Sequence, residues 1–244
     1  MTTPDPAPET HLETYRYAVY FTHAAQSPWW QAGSAWLGRS ALPGAAVSER
    51  PQAPLAAELW ERLVADPRRY GWHATLRAPF RLAPGQSIAT LRQAVAALCH
   101  RLRAFDMPTL AVRNLGGFLA LTPQVPSADI HAVARASVEA LHALAAPLTP
   151  QELARRRQAR LTPAQDALLA RWGYPFVMEE FRFHFSLTGP LAGVDADMID
   201  VVQHYARRCF DTLPAARFDA LAIFAEPVQG GDFVLLERVP FGNY

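Results

Sequence analysis

The sequence has 244 residues, is 50% apolar and carries a formal net charge of +1, so one domain can build a substantial core without disulfides or metals. A balanced charge attracts neither nucleic acid nor an anionic membrane, so neither a membrane nor an extended polynucleotide is an expected partner. All 23 basic residues are arginine, which excludes Schiff-base lysines, lysyl-adenylate nucleophiles and P-loop lysines, and with them aldolases, PLP enzymes, nucleotidyl-transferring ligases and ordinary kinases.

The first 13 residues are polar and rich in proline, and they predict a disordered tail without the features of a signal peptide. No run of about 18 apolar residues occurs, so no transmembrane helix is expected. Cys99 and Cys209 are isolated and form no C-x-x-C pair, which is typical of a reduced protein. A cytoplasmic location is therefore predicted.

The first half of the chain alternates between strand-like and helix-like patterns. Residues 15–22 are aromatic and β-branched and predict a strand, and Ser27 followed by Pro28 predicts the start of a helix over 27–37. The later patterns predict a helix over 54–65 ended by Asp66-Pro67, a strand over 70–79, a helix over 86–105, a hairpin of 109–115 with 118–122, and a helix over 126–144.

Residues 149–175 differ in character and are interpreted as a helical insertion between two similar halves. Their arginines are expected to form a solvated face; these are Arg155, Arg156, Arg157 and Arg160. A strand over 181–189, a helix over 196–210 and a strand pair of 217–226 with 233–239 complete the chain. The repeated order predicts an α+β fold over 14–244, a single domain of two lobes. Two pseudo-symmetric antiparallel sheets would carry helices on the outside and enclose a central cleft.

One motif occurs twice. Residues 73–80 read HATLRAPF and residues 184–191 read HFSLTGPL, so both give His, any residue, Thr or Ser, Leu, any residue, a small residue, Pro and an apolar residue. Internal duplication is the simplest explanation. Because side chains alternate along a strand, each histidine shares a face with the hydroxyl two residues later, and the apolar residues between them face the core.

The four residues His73, Thr75, His184 and Ser186 are therefore the candidate catalytic set. If a pseudo-two-fold brings the two strands together, a phosphate between them meets two imidazoles and two hydroxyl donors. One neutral imidazole can take a proton from water while the other, protonated, gives one to a leaving alkoxide. A structural coincidence or a pair of metal ligands are the alternatives, although two matched copies favour catalysis. The remaining histidines lack a repeated context.

These two motifs, one in each half, resemble those of the 2H phosphoesterase superfamily, which includes 2′,3′-cyclic nucleotide phosphodiesterases and RNA 2′,5′-ligase-like proteins. The resemblance implies a bilobal fold, two catalytic histidines, and no metal or other cofactor. The runs RYAVYFT, YGWHATLRAPF and WGYPFVMEEFRFHFSLTGPL are similar to a bacterial branch encoded beside phosphonate-degradation operons. This narrower resemblance implies hydrolysis of 5-phosphoribosyl 1,2-cyclic phosphate to ribose 1,5-bisphosphate.

Three further residues are candidates for contacts with the substrate. Arg77 shares the predicted face of His73 and Thr75 and is a candidate phosphate ligand. Arg16 and Tyr20 share a face of the first strand and are candidates for binding the 5-phosphate and the sugar. A 2′,3′-cyclic nucleotide or RNA-end phosphodiesterase or ligase, and a non-catalytic protein that binds phosphorylated metabolites, remain as alternatives. The expected partner is in every case a small phosphorylated sugar or nucleotide.

Overall fold

A computed structural model describes residues 14–47 and 55–242, so the predicted tail over 1–13 lies outside the described residues. The strands are β1 (Arg16–Phe21), β2 (Ala74–Phe80), β3 (Phe105–Asp106), β4 (Leu110–Asn114), β5 (Leu119–Pro123), β6 (Phe185–Ser186), β7 (Arg217–Phe218), β8 (Ala220–Glu226) and β9 (Val234–Pro240). The helices are α1 (Pro28–Leu37), α2 (Ala57–Tyr70), α3 (Ile88–Arg101), α4 (Ala128–Leu141), α5 (Pro150–Arg157), α6 (Pro163–Trp172) and α7 (Ala196–Phe210).

The fold is of the predicted α+β class, with antiparallel strand pairing throughout the described sheets. Seven strands form one sheet in the order β4-β5-β6-β2-β1-β8-β9, and β3 pairs with β7 in a small second sheet. The prediction of two separate lobe sheets differs from this arrangement, because β2 hydrogen-bonds to β6 and joins β4-β5-β6 to β2-β1-β8-β9 in one sheet. The junction is narrow, with a single residue pair, Ala74 and Phe185.

Several elements follow directly from local sequence signals. Helix α1 begins as predicted, with the Ser27 side chain accepting a hydrogen bond from the Trp30 N–H and Pro28 in the first turn. Helix α7 spans the predicted residues 196–210, and the hairpin of β4 and β5 forms where the Gly-Gly pair predicted it. The strand predicted over 181–189 is much shorter, since only Phe185–Ser186 forms ladder pairs.

The prediction that helix α2 ends at Asp66-Pro67 is wrong, because the helix continues through Pro67 to Tyr70. A proline inside a helix removes one N–H and leaves the carbonyl four residues earlier without its usual donor. Here that carbonyl belongs to Leu63, and it accepts a hydrogen bond of 2.7 Å from the N–H of Gly189. The proline is tolerated because a residue of the second repeated motif satisfies the free acceptor.

The core lies between the large sheet and the helices and is rich in aromatic side chains. Trp36, Trp60 and Trp72 are each at most 2% exposed. Helix α1 approaches Trp72 at Gly33, where an added Cβ would lie 1.9 Å from the indole ring. Within the described part of the chain, none of the helices combines the length and apolar character needed to cross a membrane.

The segment over 149–175 contains helices α5 and α6 and packs beside the outer part of β2. Arg81, just after β2, forms a two-pronged ion pair with Glu152 of α5, at 2.9 and 3.0 Å. The backbone carbonyl of Trp172, at the end of α6, accepts a hydrogen bond of 2.7 Å from Arg77. These contacts hold both helices against the strand that carries the first motif.

Candidate active site

The two repeated motifs lie side by side in the large sheet. Ala74 of β2 pairs with Phe185 of the antiparallel strand β6. Continuing this register by one residue in each direction places His73 beside Ser186 and Thr75 beside His184. An antiparallel residue pair has a local two-fold axis, so two copies of one motif around it are related by that axis. Each histidine therefore lies across from the hydroxyl residue of the other motif.

The predicted alternation of faces is present on both segments. Trp72, Ala74 and Leu76, and equally Phe183, Phe185 and Leu187, are buried in the core. The four candidate residues are partly exposed. They line one cleft of about 750 Å³, in which both histidines and both hydroxyl residues take part.

Each imidazole is oriented by a backbone carbonyl two residues earlier. The Nδ1–H of His73 donates to the Gly71 carbonyl at 2.8 Å, and that of His184 donates to the Arg182 carbonyl at 2.7 Å. A carbonyl oxygen can only accept, so Nδ1 must carry the proton in both rings. In a neutral ring the free lone pair is then on Nε2. The two histidines are thus held in the same tautomer by the same local contact.

Both imidazoles lie near aromatic rings, and burial lowers both pKa values. The ring centroids of Tyr20 and Tyr70 lie 4.0 and 5.8 Å from that of His73, and the ring of Phe118 lies 5.5 Å from that of His184. Burial lowers the pKa of His73 to about 4, with a further lowering from nearby His184 and an opposing effect of the hydrogen bond to Gly71. Burial also lowers the pKa of His184. The lowered pKa values favour the neutral form of both rings at pH 7.

The hydroxyl groups of the motifs are available to a ligand. Neither Thr75 nor Ser186 forms a side-chain hydrogen bond with another described residue. Thr188, also on this strand, differs, since its hydroxyl donates to the Gly189 carbonyl at 2.8 Å and accepts from the Leu119 N–H at 3.0 Å. Two free hydroxyls beside two imidazoles suit a ligand with several acceptor oxygens. Across residues 14–47 and 55–242, no group of three or more His, Cys, Asp or Glu is placed to hold a metal ion.

The three predicted substrate contacts have different surroundings. Tyr20 lines the cleft, but its side chain is 0% exposed and its ring packs against His73. Arg16 also lines the cleft, and its Nε donates to the carboxylate of buried Glu226 at 2.5 Å; Glu226 accepts from Arg69 as well. Arg77 is not in this cleft. It is buried and faces an adjoining cavity, because β1 and β2 pair with irregular register next to it.

The prediction that the arginines of 149–175 form a solvated face is only partly right. Arg157 and Arg160 are exposed, but Arg155 and Arg156 line the histidine cleft, and Arg156 is partly buried. Its guanidinium lies 5.6 Å from the ring centroid of Tyr174, another cleft residue. No local pattern distinguishes Arg156 from its neighbours. Only the packing of α5 against the sheet selects it.

The family model described as "Protein of unknown function (DUF1045)" matches residues 75–234. The chain is 42% identical over 245 residues to a protein of Janthinobacterium sp. (strain Marseille) named ribose 1,5-bisphosphate phosphokinase PhnN, covering 98% of this chain and 54% of that protein. A protein of the same name from Laribacter hongkongensis (strain HLHK9) is 41% identical over 226 residues, covering 92% of this chain and 51% of the relative. The chain thus spans about half the length of these curated relatives.

Solved structures of low sequence identity align with most of the chain, with TM-scores below 0.5. One is E. coli LigT complexed with 3′-AMP, which is 14% identical, with a TM-score of 0.42 and coverage of 95% of this chain and 100% of LigT. Another is a protein described as a phosphoesterase, which is 16% identical, with a TM-score of 0.42 and coverage of 95% and 100%. Likeness at this level carries no inference about fold or activity.

Proposed function

This chain belongs to the family described as "Protein of unknown function (DUF1045)", and we propose that its two histidine motifs form the active site of a phosphoesterase that opens a cyclic phosphodiester. One observation carries the proposal. Two copies of a His-x-Thr/Ser motif meet around one antiparallel residue pair, and both histidines are held in the same tautomer within a single cleft.

The geometry supports an acid–base division of labour between the two imidazoles. A neutral imidazole with its lone pair on Nε2 accepts a proton from water as the water oxygen bonds to phosphorus. The bond from phosphorus to one ring oxygen breaks, and the other imidazole, protonated, donates its proton to that oxygen. The products are a phosphate monoester and a free hydroxyl group. Thr75 and Ser186 donate hydrogen bonds to the non-bridging oxygens, where negative charge increases in the transition state.

The proposed substrate is 5-phosphoribosyl 1,2-cyclic phosphate. Three runs of the sequence resemble the branch encoded beside phosphonate-degradation operons, and two relatives carry the name ribose 1,5-bisphosphate phosphokinase. Hydrolysis of this cyclic ester yields ribose 1,5-bisphosphate, the compound in that name. The present chain contains no lysine and cannot supply a P-loop lysine, so a step that produces the bisphosphate suits it better than the phosphorylation itself.

A second candidate substrate is a 2′,3′-cyclic nucleotide, favoured by an apolar cavity beside His184. This cavity has a volume of about 440 Å³ and includes Phe118, Tyr174 and Phe176 among its lining residues. Aromatic side chains stack well on nucleobases, so such a cavity could hold the base of a nucleotide whose cyclic phosphate lies between the histidines. The two candidates share the chemistry and differ in what the rest of the ligand contacts.

The test is hydrolysis of 5-phosphoribosyl 1,2-cyclic phosphate and of 2′,3′-cyclic AMP in the presence of EDTA. We expect His73→Ala and His184→Ala each to lower kcat/KM by at least about 100-fold, because each removes one partner of the proton transfer. His204→Ala is the matched control, since His204 is exposed on α7 outside the cleft. Activity on neither ester, or activity that survives both cleft substitutions, would contradict the proposal.

A further inference from the structure

A second cavity adjoins the histidine cleft. Its volume is about 490 Å³, and it lies between the outer part of β2 and the helices α5 and α6. The two spaces share lining residues: Arg16, Ala78, Pro79, Arg156 and Tyr174. We call this second space the arginine pocket, because five arginines line it: Arg16, Arg77, Arg81, Arg156 and Arg171.

The charges of the arginine pocket do not balance. Among the residues that the structure describes, Glu152 is the one acidic lining residue, and it is already engaged with Arg81 in a two-pronged ion pair. Arg16 is paired with Glu226. Among the described residues, no carboxylate pairs with Arg77 or with Arg156. Arg171 is also unpaired but is exposed to solvent, so Arg77 and Arg156 are the two fully or partly buried cationic groups of the pocket that lack a counter-charge among the described residues.

These two guanidinium groups are also incompletely hydrogen-bonded. Arg77 is 3% exposed, and its side chain donates to the Trp172 carbonyl, but its Nε has no acceptor. The Nε of Arg156 is likewise buried without an acceptor. Burial lowers the pKa of Arg77 to about 10, with a further lowering from the charge of Arg156. Burying like charges without partners is unfavourable, and a bound anion removes most of that cost.

We propose that the arginine pocket binds a phosphate monoester on the same molecule whose cyclic phosphodiester lies between His73 and His184. Planar guanidinium groups match the oxygens of a phosphate, and a doubly charged monoester offsets the charges of Arg77 and Arg156. Thr75 and Arg77 are two residues apart on β2, roughly 6–7 Å along the strand, which is within the span of a small sugar carrying two phosphate groups. The inference rests on the proposed function and assigns the substrate class as a bisphosphorylated small molecule.

The proposal predicts a strong preference for a substrate with the second phosphate. We expect kcat/KM for 5-phosphoribosyl 1,2-cyclic phosphate to exceed that for ribosyl 1,2-cyclic phosphate at least 100-fold in the wild-type protein. Arg156→Gln should reduce this ratio to below about ten, mainly through KM, and Arg156→Lys should restore part of it because it restores the charge. Arg160→Gln is the matched control, since Arg160 lies in the same segment but is exposed and outside both cavities.

Binding of ribose 5-phosphate, measured by calorimetry, separates this inference from the proposed hydrolysis. If the protein hydrolyses both esters equally well, the arginine pocket is not a phosphate subsite, although the phosphodiesterase proposal stands. If neither ester is hydrolysed but ribose 5-phosphate binds the wild type and Arg160→Gln at least tenfold more tightly than Arg156→Gln, the subsite stands without the reaction. Equal binding to wild type and Arg156→Gln overturns the inference.

Discussion

Ala74 lies directly opposite Phe185, and this pair joins the strands β4-β5-β6 to the strands β2-β1-β8-β9 in the large sheet. Both residues are fully buried, and Phe185 stacks on Trp72 with the ring centroids 4.7 Å apart. The neighbours of the pair on either side are the histidines and hydroxyl residues of the two motifs. The relative position of the candidate catalytic groups therefore depends on the packing beneath a single residue pair.

Truncation of Phe185 should destabilise the protein strongly. Phe185→Ala removes a fully buried ring that contacts Trp72 and leaves a cavity below the strand junction, so we expect the free energy of unfolding to fall by roughly 3–5 kcal/mol. Urea denaturation followed by tryptophan fluorescence measures the change. Phe176→Ala is the control, because Phe176 is 44% exposed. Its truncation should lower the free energy of unfolding by about 1 kcal/mol or less. Equal losses in the two variants would show that the junction is not a rigid part of the core.

Gly71 should be intolerant of a side chain. It has φ of 77° and ψ of −178°, a conformation nearly restricted to glycine, and an added Cβ would lie 2.6 Å from the Cβ of Ala41. Its carbonyl orients the imidazole of His73. We expect Gly71→Ala to cost about 2–4 kcal/mol of unfolding free energy and to lower kcat as the imidazole loses its alignment.

Gly193→Ala is the control for this substitution. Gly193 also has a positive φ, of 79°, but nothing lies within 4 Å of an added Cβ. It should lose only about 1 kcal/mol, from backbone strain, and should keep the wild-type kcat. Thermal unfolding and steady-state kinetics of the two variants check the prediction. A Gly71→Ala protein as active and as stable as Gly193→Ala would contradict the role assigned to this turn.

The pH dependence of kcat/KM should have its maximum on the acid side of pH 6.5. The proposed mechanism needs one neutral and one protonated imidazole, while burial lowers the pKa of His73 to about 4 and lowers that of His184 as well. At a pH above both pKa values, the fraction of free enzyme in which one of the two imidazoles is protonated falls about tenfold per pH unit. The value of kcat/KM therefore falls as the pH rises. A profile measured from pH 4 to 9 tests this sign. A maximum above pH 7.5 would be inconsistent with two buried imidazoles acting as acid and base.

His23 should make the fold sensitive to acid without taking part in the site. Its ring stacks between Trp29 and Phe185, both ring nitrogens are buried without a hydrogen-bond partner, and burial lowers its pKa to about 3. In the unfolded chain His23 takes up a proton near pH 6.5, whereas in the folded protein it stays neutral down to about pH 3. The contribution of the neutral ring to the free energy of unfolding is therefore complete above pH 6.5 and is lost as the pH falls toward 3. Between pH 7 and pH 5 the loss from this group is about 2 kcal/mol.

The measurement for His23 is urea denaturation at pH 7 and pH 5. His23→Phe keeps an aromatic ring in the stack but cannot take up a proton, so its unfolding free energy should fall by about 2 kcal/mol less than that of the wild type. His204→Gln removes an exposed histidine and should follow the wild type. If wild type and His23→Phe lose the same stability on acidification, His23 is not buried as a neutral ring.

Local signals in the sequence determined much of the secondary structure and the identity of the paired motifs. The start of α1 at Pro28 and the full extent of α7 follow from capping and helical periodicity, which involve only residues close in the chain. The alternation of buried and partly exposed residues around His73 and His184 follows from strand geometry alone. The repeat itself predicted which side chains would share a cleft.

Only the tertiary structure decided the contacts between segments far apart in sequence. Helix α2 continues through Pro67 because Gly189 supplies the missing donor to Leu63, a partner more than a hundred residues away. Arg77 faces the arginine pocket instead of the histidine cleft, although its position on β2 relative to Thr75 predicted a shared site. Arg156 resembles its neighbours in sequence, yet it alone combines cleft exposure with an unsatisfied buried Nε. Hydrogen-bond partners, counter-charges and burial are properties of the packed chain, and no local pattern encodes them.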